Sequence, residues 1–327
     1  MGVMVLNIFL ILFSLLPYFA ISYTFNRLNL PSATGPESTA FDALGQGPYT
    51  GLADGRILKY QGPNVGFQDY AFDTPNRSKA VCDGNPDPNL GNVCGRPLGI
   101  QFLRSTGQLF IADAYLGLLV AGTNGRLATS IATVAEGLPI RFADGLDVDQ
   151  LSATVFFTDA TATFKLSQLD ELLASNDSTG RLIKYDPKAE KITVLMRNLS
   201  VSGGVAVSGD GSYLVFTEVV QQRVQKYWLR GPKANTSQVL LTLPGRPFNI
   251  KRTPLGDAFW VAVNSQNSPN QTNVPTAVKI NGLGKILRNI SLSRDYNSTL
   301  ITEVHEHGFG SLYIGSLANF VGVVRNI

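Results

Sequence analysis

The chain has 327 residues, of which 44% are hydrophobic and 16% are charged. This composition excludes a disordered, collagen-like or coiled-coil chain. The 27 basic and 24 acidic side chains give a formal charge of +3 and are dispersed, without a basic run. A nucleic acid is therefore not expected as a partner.

Residues 1–22 are predicted to be a secretory signal peptide. Residues 3–21 are almost wholly apolar, and the first charged residue is Arg27. Ala20 and Ser22 are small residues at the spacing that precedes a signal-peptide cleavage point. The alternative is a retained membrane anchor, because Pro17 interrupts the run and a basic segment is missing before it. No later run reaches the roughly 18 to 20 apolar residues that a span needs, so no stable membrane span is expected after cleavage.

Entry into the secretory pathway would permit N-glycosylation on surface loops. The chain contains seven Asn-x-Ser/Thr sequons, which is many for chance alone, although each single sequon is weak evidence. The predicted acceptors are Asn76, Asn176, Asn198, Asn235, Asn270, Asn289 and Asn297.

Cys82 and Cys94 are the two cysteines of the chain and lie twelve residues apart in a turn-rich stretch. In an oxidising compartment they are expected to form a disulfide that closes a loop. Two unpaired buried thiols are the alternative. A zinc site is less favoured, because the histidines, His305 and His307, are distant in sequence and no further ligand is implied.

Short apolar strands that end in turns recur along residues 23–327. Corresponding residues are spaced by 44 to 61 positions, close to the roughly 40 to 50 residues of one four-stranded propeller blade with insertions. The six copies predict an all-β, six-bladed β-propeller in one domain, with a short helical insertion at residues 167–174, where Ser167 is a candidate cap. The marker residues are Tyr49, Phe110, Phe156, Val215, Phe259 and Tyr313.

Several segments together resemble strictosidine synthase and its plant relatives. TGRLIKYDP at 179–187 and VQKYWLRGPK at 224–233 are the specific signals. They are joined by GPNVGFQDYAF (62–72), CGRPLGIQF (94–102), ADGLDVDQ (143–150) and HEHGFGSLYIGS (305–316). The resemblance covers residues 23–327 and implies a six-bladed propeller with a central pocket, a Cys82–Cys94 bridge, and a vacuolar or extracellular glycoprotein.

The resemblance also implies a pocket from which the family's catalytic glutamate is missing. Strictosidine synthase joins an amine to an aldehyde, which requires a carboxylate as acid and base. Alignment on residues 312–315 places Thr302 at the glutamate position and Leu300 at a histidine position. Glu303 and Glu306 are the candidates for a displaced catalytic carboxylate. The expected pocket residues are Leu98, Phe142, Asp144, Val219 and Thr302.

Related lactonase and paraoxonase propellers suggest a second chemistry, in which an axial calcium ion polarises an ester or lactone carbonyl. The comparable positions in this chain are Glu37, Asp144 and Asn249, whose side chains all carry oxygen ligands. The alternative is that Glu37 and Asp144 accept hydrogen bonds from backbone amides at the blade starts. Calcium is the cofactor that these residues would suit.

We therefore predict a small-molecule enzyme, a metal-assisted ester or lactone hydrolase, acting on plant metabolites. One alternative is a propeller that binds a ligand without catalysis. Another is an amine–aldehyde condensing lyase that uses a displaced carboxylate. A Ser-His-Asp hydrolase is disfavoured because no GxSxG motif occurs.

Overall fold

The computed structural model describes residues 23–265, 272–308 and 310–327. The predicted signal peptide and Asn270 lie outside these ranges. Within them, no helix has the length and apolar character to cross a membrane.

Twenty-four of the strands form six four-stranded antiparallel blades, and each blade is described from its innermost strand outwards. Blade 1 contains Thr39–Ala40, Tyr49–Gly51, Arg56–Tyr60 and Phe67–Phe72. Blade 2 contains Pro97–Leu103, Gln108–Asp113, Gly117–Gly122 and Gly125–Ala132. Blade 3 contains Ala143–Val148, Val155–Asp159, Gly180–Asp186 and Lys191–Leu199. Blade 4 contains Ser202–Val207, Tyr213–Glu218, Arg223–Trp228 and Ser237–Thr242. Blade 5 contains Arg246–Arg252, Ala258–Ser265, Val274–Asn281 and Ile286–Ser291. Blade 6 contains Ile301–His307, Ser311–Ser316, Phe320–Arg325 and Thr24–Asn29.

These blades confirm the predicted six-bladed propeller. Each of the six marker residues lies on the second strand of a different blade, from Tyr49 in blade 1 to Tyr313 in blade 6. The second strands are almost fully buried because a neighbouring blade covers each of their faces. Their near-continuous apolar runs are therefore the part of the repeat that the sequence shows best.

The two ends of the described chain close the ring in one blade. Thr24–Asn29 is the outermost strand of blade 6 and pairs antiparallel with Phe320–Arg325. Phe25 packs edge-on against Tyr296 and Phe320, which anchors this added strand to the apolar core of the blade. Opening the ring between blades 6 and 1 would therefore require breaking the hydrogen bonds between Thr24–Asn29 and Phe320–Arg325, and not only a loop contact.

Glycines bring the innermost strands into backbone contact around the axis. A Cβ atom on Gly99 would lie 2.4 Å from the carbonyl oxygen of Asp144, and one on Gly145 would lie 2.3 Å from the Cα of Gly204. The pairing register of these strands shifts at the same level, as a β-bulge does. The bulges lie at the positions where the sequence places its candidate axial residues.

Two insertions project from the ring. The first contains Lys79–Cys82, Pro88–Leu90 and Gly91–Cys94, and the Cys82–Cys94 disulfide closes it as predicted. The second contains a 3₁₀ turn, Leu166–Gln168, and a helix, Leu169–Ala174. Ser167 lies inside the turn and Gln168 precedes the helix, so the helix starts later than predicted and Ser167 does not cap it.

The remaining elements are short. Val134–Ala135 pairs with Leu138–Pro139 in a small hairpin between blades 2 and 3. A one-turn helix, Ser293–Tyr296, connects blades 5 and 6.

Candidate functional site

The insertion helix covers one mouth of the ring. Leu169, Leu172 and Leu173 are spaced as one apolar helix face. Leu172 is fully buried and belongs to one apolar cluster with Leu98, Phe142 and Val219. The apolar residues predicted for the pocket therefore do come together, but helix side chains are packed over them.

The cavity at this mouth has a volume of about 260 Å³ and lies to one side, along the starts of blades 5 and 6. Leu300, at the family's histidine position, is among its lining residues, whereas the five predicted pocket residues are not. Its lining consists of Leu169, Leu173, Gln222, Pro244, Gly245, Arg246, Phe248, Asn264, Asn273 and Leu300.

Two acidic side chains lie on the axis next to this mouth. Asp144 lies at the bulge of the innermost strand of blade 3, and Glu37 precedes the innermost strand of blade 1. Burial raises the pKa of Glu37 to about 7, although the positive charge of Arg96 opposes the shift. Burial also raises the pKa of Asp144 to about 8, and the negative charge of Glu37 adds to this effect. The two carboxylates therefore repel each other in a site that favours their neutral forms.

Asn249 and Thr302 lie at the same level. The Asn249 side chain is 6% exposed and has no hydrogen-bond partner among the described residues. The Thr302 hydroxyl donates to the carbonyl oxygen of Glu37 across 2.7 Å and joins blade 6 to blade 1. We call Glu37, Asp144 and Asn249 the upper axial layer.

The structure does not support the simpler interpretation of the axial acids as acceptors of backbone hydrogen bonds. No backbone amide of the described residues donates to the carboxylate of Glu37 or Asp144. Asp159, by contrast, accepts from the backbone N–H groups of Arg141 and Phe142, and Glu218 accepts from that of Ser200. Asp159 and Glu218 therefore accept backbone hydrogen bonds at the starts of blades, whereas Glu37 and Asp144 do not.

A second polar layer lies one step further along the same strands. Lys251, two residues after Asn249, reaches across the axis with its Nζ 3.4 Å from Glu303 Oε2. The same Nζ donates to the carbonyl oxygens of Leu146 in blade 3 and Ile100 in blade 2 at 3.3 and 3.4 Å. We call Lys251 and Glu303 the lower axial layer.

The bulge between Ile301 and Glu303 directs Glu303 toward the axis rather than away from it. The Glu303 carboxylate is fully buried and accepts from the backbone N–H and the hydroxyl of Thr39 at 2.6 and 3.0 Å. Burial raises its pKa, with the charge of Lys251 acting in the opposite direction. This glutamate is therefore held by two neighbouring blades and does not line the cavity.

Glu306 lies between blades 5 and 6. Its Oε2 accepts from Trp260 Nε1 at 2.7 Å and is 3.1 Å from Lys279 Nζ. This carboxylate also lies outside the cavity lining.

The two histidines occupy the far end of the axis. Burial lowers the pKa of His305 to about 3, so the ring is neutral, and its Nδ1 lies 2.8 Å from the carbonyl oxygen of Thr39. His307 stacks on Phe41 with ring centroids 3.6 Å apart. In the part of the chain that the structure describes, no group of three or more His, Cys, Asp or Glu side chains has the arrangement of a metal site.

Sequence reasoning missed Lys251 and Arg246. Lys251 follows Asn249 by two residues on one strand, so the period of a β-strand places both on the axis. That signal was available once Asn249 had been singled out. Arg246 begins the same strand, and nothing in its sequence context marks it as part of a cavity.

The fold and the axial residues define a class: a six-bladed propeller with part-buried carboxylates at the innermost strands, beside a covered mouth. The strictosidine synthase family model matches residues 144–232, and the strictosidine synthase-like N-terminal model matches residues 24–60. The protein named strictosidine synthase-like 12 from Arabidopsis thaliana is 42% identical over 304 residues, covering 92% of this chain and 90% of the relative. Strictosidine synthase from Catharanthus roseus is 38% identical over 286 residues, covering 86% and 80%. The chain belongs to the strictosidine synthase-like family.

Solved structures share the fold at low identity. A gluconolactonase from Xanthomonas campestris matches with a TM-score of 0.67 and 13% identity, over 92% of this chain and 89% of the other. A calcium-binding protein, regucalcin, from Agrobacterium tumefaciens matches with a TM-score of 0.63 and 12% identity, over 91% and 92%.

Proposed function

We propose that this protein is a metal-assisted hydrolase of small esters or lactones. The observation that carries the proposal is the pair of part-buried axial carboxylates, Glu37 and Asp144, which have no basic side chain in an ion pair and no backbone donor among the described residues. Two solved structures share this fold, and one is named as a gluconolactonase and the other as a calcium-binding protein. Their names support the proposal that this architecture can carry such chemistry.

The donor set of the upper axial layer fits a hard cation. Ca²⁺ takes six to eight oxygen ligands in a flexible geometry. Glu37 and Asp144 provide carboxylate oxygens, and Asn249 provides an amide oxygen that is free of other partners among the described residues. The corresponding positions in blades 2 and 4, Leu98 and Gly203, carry no side-chain oxygen, so backbone carbonyls or water would complete the shell.

A bound cation would supply polarisation of the substrate carbonyl and a lowered pKa for water. The residues of the chain bind and position the reacting groups. Because burial raises the pKa of Glu37 to about 7 and that of Asp144 to about 8, both carboxyl groups hold protons in part at neutral pH, and those protons would leave when a cation binds. Asn249 does not titrate in this range, so it holds its ligand oxygen in place at any pH.

The condensing-lyase alternative has less support. Its base must reach an ammonium group in a pocket. Glu303 is held between Lys251 and Thr39, and Glu306 is held by Trp260 and Lys279. The non-catalytic alternative retains the cavity as its ligand site.

The test is a panel of small esters and lactones, measured with chelator-treated protein and again after calcium is added. We expect turnover that requires the cation and that Glu37→Gln and Asp144→Asn abolish. Glu306→Gln is the matched control, since it also neutralises a part-buried carboxylate but leaves the axis intact. Hydrolysis that resists both the chelator and Glu37→Gln contradicts the proposal.

We also propose a secretory-pathway location, vacuolar or extracellular, with N-linked glycans. All six sequon asparagines in the described ranges are exposed, which supports their use: Asn76, Asn176, Asn198, Asn235, Asn289 and Asn297. Treatment of the plant-expressed protein with an N-glycosidase tests this, because a glycoprotein shows a mass decrease and an unmodified protein does not.

A further inference from the structure

The cavity beside the insertion helix contains a single charged residue in its lining. Its walls combine apolar side chains from the helix and blade starts, including Leu169, Leu173, Phe248 and Leu300, with a few polar groups and Arg246. Its volume of about 260 Å³ is slightly below the roughly 300 to 1,000 Å³ of drug-sized sites. The cavity therefore suits a small, largely apolar molecule with one anionic group.

Arg246 has no acidic partner among the residues that the structure describes. It is exposed at the start of the innermost strand of blade 5 and forms no ion pair within the described ranges. The segments outside those ranges, residues 1–22, 266–271 and 309, contain no Asp or Glu that could neutralise it. Its guanidinium is therefore available to a ligand at the edge of the cavity.

Two of the three uncharged polar side chains of the lining already have partners. Asn264 donates to the carbonyl oxygen of Ile301 at 2.8 Å and accepts from its N–H at 3.1 Å. Asn273 donates to the Asn264 side-chain oxygen at 3.0 Å. These bonds hold the starts of blades 5 and 6 together. Gln222, the third polar side chain, is uncharged, so Arg246 is the group of the lining that can pair with an anion by charge.

We propose that this cavity binds small molecules that combine an apolar body with a carboxylate, and that Arg246 recognises the carboxylate. Guanidinium and carboxylate match as a pair of parallel, charge-assisted hydrogen bonds, and the apolar side chains of the lining can contact the apolar body of the ligand. A ligand amine would meet a cation instead of a base in this cavity. Phe248, in this lining, precedes Asn249 of the upper axial layer, so the cavity and the axial acids share one strand.

The proposal rests on the proposed function for one point, that the hydrolysed substrate itself carries a carboxylate. Binding is separate from turnover, and it is measured on cation-free protein. Loss of hydrolysis and loss of acid recognition are therefore distinguishable results.

The experiment is calorimetric titration of the whole protein, after removal of cations, with 4-phenylbutanoate and with 4-phenylbutanamide. The wild-type protein is expected to bind the acid at least tenfold more tightly than the amide. In Arg246→Gln, affinity for the acid is expected to fall about 10- to 100-fold, the range for a lost hydrogen bond to a charged group, with no change for the amide. The acid affinity of Arg246→Lys should lie between those of the wild type and Arg246→Gln, because lysine keeps the positive charge but lacks the two parallel N–H donors of the guanidinium.

Two further variants locate the effect. Arg288→Gln removes a cation from the outermost strand of the same blade and should leave both affinities unchanged. Leu300→Trp fills the cavity and should abolish binding of both probes. Equal wild-type affinity for acid and amide, no binding of either at millimolar concentration, or an unchanged acid affinity in Arg246→Gln overturns the proposal.

Discussion

The upper and lower axial layers lie one step apart on the same strands but treat charge in opposite ways. In the lower layer, Glu303 lies beside the ammonium group of Lys251, which also satisfies carbonyl oxygens of blades 2 and 3. In the upper layer, Glu37 and Asp144 are part-buried near each other, and Arg96 affects Glu37 only through its charge. The lower layer contains a positively charged side chain, that of Lys251, whereas Glu37, Asp144 and Asn249 of the upper layer include none.

This difference separates a structural site from a candidate functional one. The buried Lys251–Glu303 pair joins neighbouring blades, and removal of one partner leaves an uncompensated charge. Two part-buried acids with raised pKa values and no cation beside them oppose folding when ionised, and such arrangements concentrate at functional sites. The axis therefore combines an ion pair that joins blades at one level with the proposed cation site at the next.

The largest expected effect is on the lower layer. Lys251→Met leaves Glu303 buried without its partner, which should lower the free energy of unfolding by about 3–5 kcal/mol. Urea unfolding at pH 7 measures the loss. The double variant Lys251→Met with Glu303→Gln should recover much of it, and a single-variant loss below about 1 kcal/mol contradicts a fastening role.

In the upper layer, neutralising a side chain should have the opposite sign. The raised pKa values mean that the cation-free folded state holds more protons than the unfolded state between about pH 4 and pH 8, so its stability falls as pH rises through that window. Asp144→Asn should make this decline shallower and should stabilise the cation-free protein at pH 8. Unfolding curves at pH 5 and pH 8 test this, and an unchanged pH dependence would count against the interpretation of the upper layer.

A smaller effect is expected where blade 6 supports the upper layer. Thr302→Val removes the hydroxyl that donates to the Glu37 carbonyl oxygen at 2.7 Å. One neutral hydrogen bond contributes about 0.5–1.5 kcal/mol to stability. We expect a loss in that range together with weaker cation binding in calorimetry. Full stability with full cation affinity would show that this contact does not position Glu37.

The smallest effect is expected for Glu306→Gln, between blades 5 and 6. The amide can still accept from Trp260, and the part-buried pair with Lys279 contributes little, roughly 0–1 kcal/mol. Cation affinity and hydrolysis should match those of the wild type. A tenfold loss of activity with an unchanged fold would instead support a catalytic role for Glu306.

Much of the fold was predictable because the second strand of each blade has a recurring apolar sequence pattern. Phe110, Phe156 and Phe259 recur at blade spacing, since each second strand is covered on both faces. The Cys82–Cys94 bridge followed from the expected compartment, and the structure confirms it. The closing strand Thr24–Asn29 was not predicted, because its burial pattern is that of an exposed edge and gives no indication of its partner.

The candidate site was predictable only in part. Glu37, Asp144 and Asn249 could be chosen because blade starts repeat, and Leu98, Phe142 and Val219 do lie together. The position of the helix over them could not be deduced, since Leu169, Leu172 and Leu173 would have the same spacing wherever the helix packed. The bulge that turns Glu303 toward Lys251 is likewise a property of strand pairing and has no local sequence signal.

The most direct test of the account is calorimetric titration of calcium into chelator-treated protein near neutral pH. We predict one site per chain, release of protons on binding, and loss of the site in Asp144→Asn and Glu37→Gln, with Glu306→Gln unchanged. The absence of calcium binding to the wild-type protein, or binding that survives both axial substitutions, would contradict the claim that the upper axial layer is a cation site.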